Sequence, residues 1–71
     1  MQSASNVILY HQDGCPMCKA VELQLKKKNI EFTSNKDIEE MRAKGILHTP
    51  VLEVDGTMFI GKDIINWIKE Q

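Results

Sequence analysis

The chain has 71 residues, of which 42% are hydrophobic and 27% charged, and its formal net charge at pH 7 is −1. A chain of this length predicts one small domain, so we treat residues 1–71 as a single unit. The near-neutral charge offers no basic field for nucleic acid or an anionic membrane. No apolar run reaches the length of a membrane span, and residues 1–6 lack the apolar region of a signal peptide, which predicts a cytoplasmic protein.

The first part of the chain predicts a strand–helix–strand unit. Val7 to Tyr10 is apolar at consecutive positions, as expected of a strand covered on both faces. A helical pattern follows over about residues 16–28, with Asn29 as the residue after its end. Its predicted inward stripe is Cys18, Val21 and Leu25. Residues 30–33 predict a second strand, parallel to the first through a right-handed crossover.

A short second helix is predicted next, with Ser34 or Asn35 as its cap and Gly45 at its end. It is acidic early and basic late, which suits the helix dipole. Its predicted inward residues are Ile38 and Met41.

The last part of the chain predicts a hairpin and a closing helix. Val51 to Val54 and Thr57 to Ile60 flank the dipeptide Asp55-Gly56, which is a strong hairpin signal. The final helix is predicted over about residues 62–70, with inward residues Ile64, Ile65 and Ile68 and with Trp67 beside them. The order β-α-β-α-β-β-α predicts an α/β domain with a four-stranded mixed sheet flanked by helices.

The two cysteines, Cys15 and Cys18, lie three apart at the start of the first predicted helix. One helical turn brings their Cα atoms to about 5 Å, within the span of a disulfide. Cys15 precedes Pro16 at the helix start, where free N–H groups and the helix dipole favour its thiolate. Cys18, one turn further in, is predicted to be less exposed and less acidic. We therefore predict that Cys15 attacks a substrate disulfide and that Cys18 resolves the mixed disulfide.

The cysteines could instead bind a metal, and the residues near them have more than one interpretation. A zinc site would need His11 and His48 as further ligands, but the chain has no second pair at the usual metal-ligand spacing, and we predict no metal. His11 either tunes the Cys15 thiolate or is a polar residue at a strand end, and His48 has the same two interpretations.

Met17, between the cysteines, is predicted to be an exposed apolar contact for a substrate.

A first strand leading into Gly14-Cys15-Pro16-Met17-Cys18, Thr49-Pro50 opening the third strand, an Asp-Gly hairpin and a closing amphipathic helix resemble the glutaredoxins. The resemblance covers residues 6–70 and implies a thioredoxin fold in minimal form. It further implies that Pro50 is cis and that the Thr49 backbone pairs with an extended substrate.

The resemblance also implies a binding groove for glutathione or a protein substrate. Its residues in this chain are Gln12, Pro16, Met17, Thr49, Pro50, Val51, Gly61, Lys62 and Asp63. The chain departs from the family pattern at Gln12, where the family has a basic residue, and at Met17, where it has tyrosine. Lys62 replaces the second glycine of the turn before the last helix, and Thr49 replaces the valine of Thr-Val-Pro.

Together these features predict a monomeric thiol-disulfide oxidoreductase that reduces protein or glutathione mixed disulfides. Its predicted partners are glutathione as co-substrate, disulfide-containing proteins and a flavoprotein reductase, and no cofactor is bound permanently. One alternative is a glutaredoxin-like redoxin reduced by thioredoxin reductase that donates electrons to an enzyme of the ribonucleotide reductase type. The other is a metal- or iron–sulfur-binding module without turnover.

Overall fold

The computed structural model describes residues 6–71. Strands and helices follow one another in the predicted order: β1 Val7–Tyr10, α1 Pro16–Lys27, β2 Thr33–Asn35, α2 Ile38–Ala43, β3 Val51–Val54, β4 Thr57–Ile60 and α3 Lys62–Lys69. The four strands form one mixed sheet in the order β2-β1-β3-β4. This is a minimal thioredoxin-like fold, and the predicted fold class is confirmed. Within residues 6–71, no helix has both the length and the apolar character needed to cross a membrane.

The register of the sheet brings three distant segments of the chain to one end. β1 runs parallel to β2 and antiparallel to β3, and β3 runs antiparallel to β4. Tyr10 at the end of β1 pairs with Val51 at the start of β3, and Val51 pairs with Ile60 at the end of β4. The segments after β1, before β3 and after β4 therefore all leave the sheet at this end.

The sheet has a core on each face because successive side chains of a strand point to opposite sides. The larger core joins β1 and β3 to α1 and α3 through Val7, Leu9, Val21, Leu25, Leu52, Val54, Ile64 and Ile68. The smaller core, on the α2 side, contains Tyr10, Met41, Ile46 and Val51, with Ile8 packed against it. The prediction that β1 is covered on both faces is confirmed. Ile65 and Trp67 of α3 are half-buried against the larger core.

The ends of α1 and the hairpin also agree with the sequence. Asn29, just past the end of α1, has a φ of 58°, in the left-handed region where asparagine is tolerated better than most residues. Asp55 and Gly56 both have positive φ, 50° and 88°. Positive φ at both central residues is what a two-residue type I′ hairpin turn requires.

The prediction for β2 was wrong in position, since the strand is Thr33–Asn35 and not residues 30–33. The N–H of Ile30 donates to the carbonyl of Leu25 at 3.0 Å, so Ile30 completes the end of α1. Ile30 and Phe32 then pack against the larger core from a loop. The strand itself is made of polar residues at the edge of the sheet, where backbone pairing with β1 suffices.

The cap of α2 is Asp37, so the prediction of Ser34 or Asn35 was wrong. The Asp37 carboxylate accepts from the N–H groups of Glu39 and Glu40 at 3.0 and 3.2 Å. Asn35, two residues earlier, accepts from the N–H of Asp37 through its side-chain oxygen.

The predicted inward pair of α2 was half right, because Met41 is buried whereas Ile38 is exposed. A helix of six residues offers few inward positions, and Ile46, just beyond the helix, fills the space beside Met41.

Hydrogen bonds and a cation–π contact connect the end of α2 to the sheet. The Tyr10 hydroxyl donates to Glu53 Oε1 at 3.1 Å, and Lys44 Nζ donates to the same oxygen at 3.3 Å. Lys44 Nζ also lies 5.5 Å from the centre of the Tyr10 ring, within cation–π range. Hydrogen bonding to Tyr10 and Glu53 raises the pKa of Lys44 above its ordinary value. Lys44 is thereby held against the sheet.

Candidate active site

Cys15 and Cys18 form a disulfide at the N-terminus of α1. Their Cα atoms are 5.2 Å apart, as one helical turn requires. Cys15 is the N-cap residue, with an extended backbone at φ −101° and ψ 104°, and Pro16 is the first helical residue. A proline is favoured at this position because its missing N–H has no partner inside the helix anyway. The local sequence thus places one sulfur at the helix end and the other inside the first turn.

The two sulfurs differ in exposure and in hydrogen bonding. Cys18 is 2% exposed, whereas Cys15 is half-buried. The backbone N–H of Cys18 donates to Cys15 Sγ at 3.1 Å, so the helix end directs a donor at the accessible sulfur. Negative charge on Cys15 Sγ is favoured by this donor and by the helix dipole. This asymmetry is the one on which the predicted roles of attacking and resolving cysteine depend.

The segment before β3 faces Cys15. The Thr49–Pro50 peptide bond is cis, as the resemblance implied. Thr49 Oγ1 is 3.8 Å from Cys15 Sγ, in hydrogen-bonding geometry with the sulfur as acceptor. Both Thr49 and Pro50 are half-buried. The structure therefore brings together two segments that lie 34 residues apart in the sequence.

A groove adjoins the dithiol through Thr49. It has a volume of about 270 Å³ and is lined by Gln12, Met41, Ile46, Leu47, His48 and Thr49. Leu47 is 82% exposed, so a large apolar side chain stands open to solvent beside the site. Met17, two residues after Cys15 in sequence, is 59% exposed. No lysine or arginine belongs to the lining of this groove.

The third predicted part of the site is the turn at residues 61–63. Gly61 is the N-cap of α3 with a φ of 55°, a conformation that suits glycine. Lys62 and Asp63 form the exposed first turn of this helix. Because Ile60 pairs with Val51, this turn leaves the sheet at the same end as Pro50.

Val51, a predicted residue of the binding groove, begins β3 directly after Pro50. Its side chain is 3% exposed in the smaller core, and its backbone pairs with Tyr10 on one side and Ile60 on the other. Val51 therefore anchors the Thr49–Pro50 segment to the sheet and presents no side chain to a ligand.

The histidines and acidic residues do not gather into a metal site. Within residues 6–71, no group of three or more His, Cys, Asp or Glu side chains is placed to hold an ion. The Nε2 atom of His11 is buried without a hydrogen-bond partner among those residues, and Asp13 forms an ion pair with Lys36 at 3.1 Å.

Two structural features around Cys15 were not predicted from the sequence. Thr49 was assigned a backbone role, yet its hydroxyl contacts the sulfur. The only signal was the replacement of the family's valine by threonine, which adds a hydroxyl at the same volume. The groove lined by Leu47 was also missed, because its walls come from α2, from the loop after β1 and from the loop between α2 and β3.

A mixed four-stranded sheet with a cysteine pair at the N-terminus of its first helix defines a thiol redox protein of the thioredoxin-like class. The sequence profile of the family described as Glutaredoxin matches residues 7–60. The chain belongs to the glutaredoxin family. It is similar to the "Uncharacterized glutaredoxin-like 8.6 kDa protein in rubredoxin operon" of Clostridium pasteurianum, with 35% identity over 63 residues that cover 75% of this chain and 80% of that protein.

Proposed function

We propose that the protein is a thiol-disulfide oxidoreductase that reduces protein disulfides and mixed disulfides with glutathione through Cys15 and Cys18. The observation that carries the proposal is the asymmetric pair of sulfurs. Cys15 is accessible and receives a helix N–H, whereas Cys18 is buried one turn behind it. The accessible sulfur suits attack on a substrate, and the buried one suits the intramolecular step.

The reaction moves two electrons from the dithiol to the substrate. The Cys15 thiolate attacks one sulfur of the substrate disulfide, forms a mixed disulfide with it and releases the other sulfur as a thiolate. Deprotonated Cys18 then attacks Cys15 Sγ, which forms the Cys15–Cys18 disulfide and releases the second substrate sulfur. The protons lost by the two cysteines end on the two product thiols. Regeneration needs two electrons from an external thiol or a reductase.

The surroundings of Cys15 support an extended peptide-like substrate. The backbone beside the Thr49–Pro50 bond supplies polar groups next to the sulfur, as in strand addition. The exposed side chains of Met17 and Leu47 offer apolar contacts. For glutathione, Lys62 and Asp63 in the first turn of α3 offer a cation for its carboxylate and an anion for its ammonium group.

A second candidate is a redoxin of the same chemistry that receives its electrons from a flavoprotein reductase such as thioredoxin reductase. The observation that favours it is the groove beside Thr49, whose lining contains no lysine or arginine. Gln12 stands where a cation would hold a glutathione carboxylate, and Lys44 is engaged by Glu53 and Tyr10. A cysteine pair that cycles in this way suits the reducing conditions of the cytoplasm.

The test is NADPH consumption with a mixed-disulfide substrate in two parallel systems, one with glutathione and glutathione reductase, the other with thioredoxin reductase. Turnover in the first supports glutathione coupling, and turnover in the second alone supports the redoxin. Replacement Cys15→Ser is expected to abolish both activities, whereas Cys18→Ser is expected to trap a mixed disulfide detectable by intact mass. A folded wild-type protein without turnover in either system contradicts the proposal.

A further inference from the structure

The Thr49 hydroxyl has a contact that substrate binding by the backbone does not explain. Its Oγ1 atom is 3.8 Å from Cys15 Sγ, and this sulfur is the hydrogen-bond partner that the structure gives it. Thr49 is half-buried and belongs to the segment that opens β3, whereas Cys15 caps α1. The Cys15 sulfur thus has donors from two parts of the fold, the Thr49 hydroxyl and the Cys18 backbone N–H.

We propose that Thr49 is a positioning residue whose hydroxyl donates to the Cys15 sulfur and stabilises its thiolate when the dithiol is reduced. The inference rests on the proposed function, since it concerns the attacking sulfur of that reaction. When an external thiol or a reductase supplies two electrons, the S–S bond breaks, Cys18 takes up one proton as a thiol and Cys15 Sγ is left as a thiolate. The threonine keeps its proton throughout. The hydrogen bond therefore changes from a weak contact with a neutral sulfur to a charge-assisted one.

The consequence is a lower pKa for the attacking thiol. A hydrogen bond to the charged form of a group favours that form, and two donors favour it more than one. Since the thiolate is the attacking species, the hydroxyl increases the fraction of active protein near neutral pH. A lower pKa also makes the Cys15 sulfur a better leaving group when an external thiol reopens the disulfide.

Several titratable or charged side chains belong to the segments at this end of the sheet. His11 follows β1, Asp13 and Lys19 lie on the segment of Cys15, and His48 precedes Thr49. Lys62 and Asp63 form the first turn of α3 at the same end of the sheet. All of these except His11 are exposed, and Asp13 is already paired with Lys36. The substitutions chosen for the test leave all of these charges unchanged.

The experiment measures the Cys15 pKa in the full-length reduced protein. The pH dependence of alkylation by iodoacetamide, with the modified cysteine identified by mass, is combined with the ultraviolet absorbance of the thiolate. Thr49→Val removes the hydroxyl and keeps the branched shape, whereas Thr49→Ser keeps the hydroxyl. Thr57→Val, at the opposite end of the sheet, is the matched control.

We expect Thr49→Val to raise the Cys15 pKa by about one unit, which lowers alkylation roughly tenfold at pH values below both pKa values. Thr49→Ser and Thr57→Val are expected to keep the wild-type pKa. An unchanged pKa in Thr49→Val, or an equal rise in Thr49→Val and Thr49→Ser, overturns the proposal. If the valine variant does not unfold cooperatively, Thr49→Ala against Thr49→Ser makes the same comparison.

The measurement is independent of turnover. Alkylation needs no disulfide substrate and no reductase, so a failure of the proposed function appears in the coupled assay and leaves the pKa comparison intact. Conversely, if turnover is normal and the Cys15 pKa is the same in wild type and Thr49→Val, only the role of the hydroxyl is refuted and the proposed function stands.

Discussion

The neutral groove beside the dithiol leads to a prediction about glutathione. Gln12 lines the groove together with His48 and Thr49, and the lining has no fixed positive charge. Replacement Gln12→Lys introduces an ammonium group into the lining that Gln12 shares with Thr49, the residue that contacts Cys15 Sγ. Glutathione has two carboxylates, so this cation is expected to strengthen its binding and its use as reductant.

The magnitude follows from the exposure of the groove. Gln12 is exposed, so the binding free energy of the new charge pair is expected to be close to that of a surface ion pair, up to about 1 kcal/mol. A buried charge-assisted hydrogen bond would contribute more. We take about 1 kcal/mol, which corresponds to a decrease of roughly fivefold in the KM for glutathione. Because the site is open, the gain is expected to shrink as salt is added.

The assay is the glutathione-coupled reaction with glutathione varied at low and high salt. Gln24→Lys, on the exposed side of α1, adds the same charge away from the groove and serves as control. An equal change in the two variants, or no change in Gln12→Lys, would refute the view that this groove lies beside a bound glutathione carboxylate. Coupling to thioredoxin reductase provides a second comparison, since it is not expected to improve.

Three further predictions concern stability. Tyr10→Phe removes the hydrogen bond to Glu53 at a fully buried ring and is expected to lower the free energy of unfolding by about 1 kcal/mol, or Tm by about 4–8 °C, in thermal denaturation; unchanged Tm would contradict it. Asp37→Ala removes the cap of α2 and is expected to cost about 1 kcal/mol in urea unfolding, with Asp37→Asn close to wild type as control. The raised pKa of Lys44 means that its stabilising contribution is complete below the ordinary lysine pKa and is lost as pH rises through the higher folded value. Wild type should therefore lose stability relative to Lys44→Met in strongly alkaline solution, and parallel stability curves for the two proteins would count against this ion pair.

Local signals were strong enough to predict most of the fold. The apolar run of β1, the Asp55-Gly56 turn and the stripe of α1 each specify one structure at short range. β2 was misplaced because its pairing depends on the backbone at a sheet edge, where side chains carry little information. The apolar Ile30 and Phe32 gave a stronger strand pattern, yet they pack from a loop. Because the predicted β2 ended too early, the predicted cap of α2 was also placed too early, at Ser34 or Asn35 in place of Asp37.

The site was predictable where it is local and unpredictable where it is not. Cys15 and Cys18 lie in one helical turn, so their geometry follows from spacing alone. The contact between Thr49 and Cys15 joins residues 34 apart and depends on the register of β1 with β3. That register depends on side-chain packing across the whole sheet, which a short window of sequence does not contain.

The pairing of Tyr10, Val51 and Ile60 at one level also decides where the chain tolerates changes of length. Adding one residue between Tyr10 and Cys15, or between Thr49 and Val51, would shift one side of the sulfur–hydroxyl pair against the other by up to about 3 Å. The Asp55-Gly56 turn lies at the opposite end of the sheet, where Val54 pairs with Val7 and Thr57. Longer turns, labels or grafted peptides placed there leave the spacing around Cys15 unchanged. One end of this small domain can therefore vary in length while the other keeps its chemistry.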